Sequence, residues 1–80
     1  MAVDQVEQCI AVCVAWGFAK FRVLAGGAPF VVRRTAGGRF EVGVGDEKGP
    51  PSEVLGEYRT PREAAEAIVA RAEVDLENIA

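Results

Sequence analysis

The chain predicts an α+β fold: a first helix, a four-stranded antiparallel meander and a C-terminal helix, with both helices packed on one face of the sheet. Three observations predict it. Apolar residues recur at helical spacing near the start and again after residue 60, and between these stretches the spacing changes to alternation. Glycine and proline clusters cut the alternating stretch into strand-sized pieces. Finally, 80 residues support one hydrophobic core, so residues 1–80 read as a single domain whose elements share that core.

In the first helix Asp4 reads as the N-cap, with Glu7 three residues on as the return half of a capping box. Val6, Ile10, Cys13 and Val14 follow at helical spacing. Val12 and Trp16 make the helix apolar nearly all round, so it is expected to be heavily buried or to pack against a second surface. Gly17 is its stop. Residues 9–16 also suit a buried strand, because valine and cysteine are at home there; the lack of clean alternation favours the helix.

From Phe18 the period is two, with Ala19, Phe21 and Val23 inward and Lys20 and Arg22 outward. Gly26-Gly27 with Pro29 ends this strand, and Phe30 to Thr35 forms the next. Ala36-Gly37-Gly38 is a tight turn into a third strand, Arg39 to Val44. A three-residue loop sets Thr35 against Arg39. Counting back then places Val32 opposite Val42 and Phe30 opposite Val44 on the core side, and Arg33 opposite Glu41 on the other face. Apolar pattern and charge pairing thus agree on one register. Gly45 to Ser52 is a loop, and Glu53 to Arg59 is the fourth strand. Thr60-Pro61-Arg62-Glu63 is a strong helix start, with threonine as cap, proline at the first helical position and glutamate reaching back. Ala65, Ile68, Val69, Ala72 and Leu76 form the stripe that lies on the sheet, with Arg62, Glu66, Arg71, Glu73 and Glu77 mostly off it.

Charge and composition narrow the function. The net charge is −3, which lacks the bulk positive field of a nonspecific nucleic-acid binder. Its distribution is uneven: Lys20, Arg22, Arg33, Arg34 and Arg39 occur in a stretch without a single acid, and ten of the twelve acids lie beyond residue 40. The chain has no histidine, so the commonest general base and metal ligand is missing. Ser52 stands beside two prolines without a catalytic motif. Asp46-Glu47 reads as a solvated loop tip. Gly43-Val44-Gly45 is followed by neither the lysine nor the helix of a phosphate loop. No catalytic set, cofactor or metal is expected. Cys9 and Cys13, four apart on a helix, suit small buried hydrophobes with reduced thiols, which points to a cytoplasmic setting. The longest apolar run, Cys9 to Ala19, is too short to cross a bilayer, and Asp4 and Glu7 stand where a signal peptide would carry positive charge, so neither membrane insertion nor export is expected.

Gly38-Arg39-Phe40-Glu41-Val42, Leu55-Gly56-Glu57-Tyr58-Arg59-Thr60 and Glu63-Ala64-Ala65-Glu66-Ala67-Ile68 resemble the three-strand-plus-helix arm-binding domain at the N-terminus of phage integrases, a pattern also found in small bacterial families. The resemblance covers roughly residues 30–70. It implies a sheet that lies in the DNA major groove, with Arg33, Arg39 and Arg59 as contacts.

Two functional expectations follow. The first is a non-enzymatic protein-binding module, an inhibitor or adaptor of a larger complex or a homodimer, anchored by Val12, Trp16 and Phe18; tryptophan is enriched in binding hot spots. The competing expectation for Trp16 and Phe18 is that they complete a thin core. The second is a nucleic-acid-binding module that uses the open face of the sheet, where Lys20, Arg22, Arg33, Arg39 and Arg59 sit among Glu41 and Glu57.

Overall fold

The computed structural model describes residues 2–46 and 48–79, with side chains as far as residue 74. Its elements are α1 (Val3–Ala15), β1 (Lys20–Ala25), β2 (Ala28–Arg34), β3 (Phe40–Val44), β4 (Glu53–Tyr58) and α2 (Pro61–Ile79). The strands form one antiparallel meander in the order β1-β2-β3-β4. The α+β expectation holds, and residues 9–15 are helix.

The expected β2–β3 register is observed throughout: Phe30 pairs with Val44, Val32 with Val42 and Arg33 with Glu41. Thr35 donates its main-chain N–H to the Arg39 carbonyl at 2.9 Å, and its hydroxyl oxygen accepts the Arg39 N–H at 3.2 Å, which closes the three-residue turn. The other hairpin is tighter than expected. Gly26-Gly27 is a two-residue turn, and Pro29 is not a breaker but the second residue of β2, paired with Leu24. Proline is tolerated there because its nitrogen is turned away from β1, so the β1–β2 ladder loses no hydrogen bond, and its carbonyl accepts the Gly45 N–H at 3.1 Å.

One core lies between the sheet and the helices. Val6 and Ile10 of α1 meet Phe21, Val23 and Ala25 of β1, Phe30 and Val32 of β2, Phe40 and Val42 of β3, and Ala64, Ala65, Ile68, Val69 and Ala72 of α2. Helix α1 packs on α2 and β1, while α2 touches β1, β3 and β4. Ala19, expected inward, is exposed, because β1 begins only at Lys20 and Ala19 still belongs to the turn leaving α1. Leu76 and Glu77 lie beyond the described side chains.

The two helix starts differ. At α2, Glu63 donates its main-chain N–H to the Thr60 hydroxyl at 3.1 Å, and the Glu63 carboxylate reaches back to the Arg59 N–H at 3.4 Å. Threonine caps as expected. At α1 the N-cap is Ala2, without a side-chain cap. The expected capping by Asp4 and Glu7 is overturned: both carboxylates bind Arg62 in the first turn of α2, Glu7 at 3.4 Å. A guanidinium held by two carboxylates competes well against a neutral backbone donor, and the negative charge remains at the positive end of the helix dipole in either case.

Candidate interaction surface

Helix α1 ends in a Schellman turn. Gly17 adopts a positive φ of 86° and donates to the Val14 carbonyl, and Phe18 donates to the Cys13 carbonyl at 3.1 Å. Only glycine takes this conformation without strain. The turn fixes the aromatic residues on either side of it, and both face water: Trp16 is 77% exposed and Phe18 55%. Val12, one helical turn before Trp16, is 47% exposed. Val12 and Trp16 therefore share the outer side of α1, and Phe18 continues the apolar surface past its end. The expectation that Trp16 and Phe18 complete the core is overturned, because the core closes on Val6 and Ile10 of this helix. The cysteine expectation also changes: Cys9 is exposed and Cys13 half-buried, both as free thiols. Burial, reinforced by the neighbouring Cys9, raises the Cys13 pKa above the ordinary thiol value.

The open face of the sheet is less basic and less open than its sequence implies. Lys20, Arg33, Glu41 and Glu57 form one cross-strand row from β1 to β4, positive on one side and negative on the other. Arg33 binds Glu41 at 3.1 Å, and Arg22, in the next row, lies 3.7 Å from Asp46. Lys20, Arg39 and Arg59 have no carboxylate partner among the described residues. All three lie toward one end of the sheet, where β1 and β3 begin and β4 ends, but they are spread across it: Lys20 stands on β1 beside Arg33 and two residues from Arg22, Arg39 precedes β3, and Arg59 follows β4 at the opposite edge. Residue 47 lies outside the description, so the Asp46-Glu47 pair is represented by Asp46 alone, whose carboxylate accepts the Lys48 N–H at 3.3 Å.

Two features escaped sequence reading. The β3–β4 loop folds back over the open face: a Cβ at Gly43 would stand 2.6 Å from the Pro51 Cβ, so the proline ring lies directly on the glycine. Beside it Val31, a residue of the open face, is only 4% exposed. Gly49-Pro50-Pro51 signals a loop but not its direction. Second, Arg34 lies 5.7 Å from the centre of the Phe40 ring, a cation–π contact that covers the end of the core. The β2–β3 register, with Arg34 opposite Phe40, already contained that contact.

No pocket indents the described surface, no group of described residues is placed to hold a metal ion, and no described helix is long and apolar enough to cross a membrane. The chain matches no family model, no curated protein and no solved structure.

Proposed function

We propose that the protein is a small non-enzymatic binding module that docks a protein partner through the apolar outer side of α1, acting as an inhibitor or adaptor. Trp16 carries this reading. A tryptophan held by a rigid turn at 77% exposure leaves a large apolar area in water, and covering that area is favourable at about 25 cal/mol per Å². Val12 and Phe18 extend the patch. From Gln8 to Ala19 the chain has no charge, so nothing there opposes burial in an interface. The partner is another protein or a second copy of the chain. Free thiols at Cys9 and Cys13 suit a cytoplasmic setting. A photo-cross-linking phenylalanine analogue at position 16 is expected to trap a protein in the native host, and the same probe at exposed Glu66 of α2 is not. Equal trapping at both positions, or trapping of nucleic acid at position 16, overturns the proposal.

A second reading, a nucleic-acid-binding module, is favoured by one observation: Lys20, Arg39 and Arg59 have no carboxylate partner among the described residues. An electrophoretic shift at low-micromolar protein that weakens steeply with salt would support it, because phosphate contacts release counterions.

A further inference from the structure

The sheet has two edges, and they are not alike. Strand β4 is interrupted by a bulge: Val42 pairs with Gly56 and Gly43 with Val54, which leaves Leu55 unmatched between them. Strand β1 runs without interruption from Lys20 to Ala25. The direction of its backbone groups follows from the hairpin. A two-residue turn makes Ala25 and Ala28 a hydrogen-bonded pair, so Val23 and Phe21 also bond to β2, as does the Ala19 carbonyl, which accepts the Arg34 N–H at 2.8 Å. Lys20, Arg22 and Leu24 therefore turn their N–H and C=O groups outward, along a regular edge with no strand beyond it among the described residues. Their side chains are exposed, Leu24 at 62%.

We infer that this edge is a strand-addition site for an acidic segment of a partner protein. The inference rests on the protein-binding reading and specifies its chemistry. Charge selects the occupant. From Gln8 to Phe40 the chain contains no carboxylate: α1 beyond Glu7 is uncharged, and β1, β2 and the following turn carry only cations, of which Arg22 lies 3.7 Å from Asp46 and Arg33 binds Glu41, while Lys20 at the edge has no carboxylate partner among the described residues. An added strand with acidic residues on the open-face side places them beside Lys20 and Arg22. Its alternate residues lie on the helix side, and Phe18 joins the edge to the exposed patch of α1. A second β1 offers no such attraction: antiparallel registers centred on Arg22, or between Lys20 and Arg22, set cation against cation, and the register centred on Val23 sets Arg22 against Leu24. The cations also keep the edge from pairing indiscriminately.

The test uses the full chain, labelled with nitrogen-15, and a blocked peptide that alternates glutamate with valine and is long enough to span β1. Binding is expected to protect the amides of Lys20, Arg22 and Leu24 from hydrogen exchange and to weaken as salt rises. N-methylation of alternate peptide residues removes the donors facing the protein and is expected to weaken binding about tenfold or more, with the protein itself unaltered. Equal binding of a lysine–valine peptide overturns the acidic specificity. A change in Trp16 emission without protection of the β1 amides overturns strand addition and leaves docking at α1 standing. Protection of the same amides by oligothymidylate, or by raising the protein concentration alone, assigns the edge to nucleic acid or to a second copy and overturns the inference. A peptide that produces no change at any amide overturns it as well, and the cross-link at position 16 then decides separately whether α1 binds a protein.

Discussion

The two helices carry similar amphipathic spacing but differ on their outer sides. As far as residue 74, helix α2 buries Ala64, Ala65, Ile68, Val69 and Ala72 and, apart from Val74, turns charged or small residues such as Arg62, Glu63, Glu66 and Glu73 to water. Helix α1 buries Val6 and Ile10 and turns Val12 and Trp16 to water, with no charge after Glu7. Over its described side chains α2 is a finished surface helix. The other has apolar area left after the core has closed. The contrast teaches that periodicity identifies a helix and its inner side, whereas the composition of the outer side shows whether one chain accounts for the whole helix.

The largest expected effect separates core from patch. Ile68→Ala is expected to cost about 2–5 kcal/mol in urea unfolding, because the removed side chain is fully buried. Val12→Ala is expected to stay within about 0.5 kcal/mol, since the side chain is already half exposed and lies outside the core. Equal costs would break the contrast between the helices. A smaller effect tests their starts. Thr60→Ala is expected to cost about 1 kcal/mol in thermal unfolding through the lost cap. Asp4→Ala, which removes part of an exposed ion pair and no cap, is expected to cost a few tenths of a kcal/mol, roughly the lower range for such pairs. A larger loss at Asp4 would show that its link to Arg62 holds the helices together.

The smallest effect concerns the middle of α2. Arg71 donates two hydrogen bonds to Glu53, at 2.6 and 2.8 Å, and these bonds hold the Glu53 carboxyl below its usual pKa. Its folded value is depressed, so the pair stabilises the fold above the unfolded carboxyl pKa, about 4.3, and that contribution disappears as the pH falls through the lower folded value. Urea midpoints measured from neutral to acid pH are expected to fall less steeply in Glu53→Gln than in the parent. Parallel curves would mean that the pair contributes nothing.

Much of this was legible in the residues. The β2–β3 register was, because alternation, turn length and the Arg33–Glu41 pair constrain it independently. The α2 cap was legible because Thr60 and Glu63 are neighbours in sequence. What was not legible depended on distant partners. Asp4 resembles a cap until Arg62, 58 residues away, is seen beside it. Pro51 signals a loop, but only folding sets it on Gly43 and shields Val31. For Trp16 and Phe18 the residue types allowed both a core and an exposed role. The outcome turned on how much apolar surface the sheet needed to cover it, and Val6, Ile10 and the small residues of α2 were enough.

The unmatched Leu55 has a consequence for assembly. Unlimited growth of a sheet requires two straight borders, so that each newcomer offers a fresh one to the next. Here one border is kinked by the extra residue and lined by the acids Glu53 and Glu57. The kink breaks the regular run of outward donors and acceptors on that border, which works against its serving as a template for another strand.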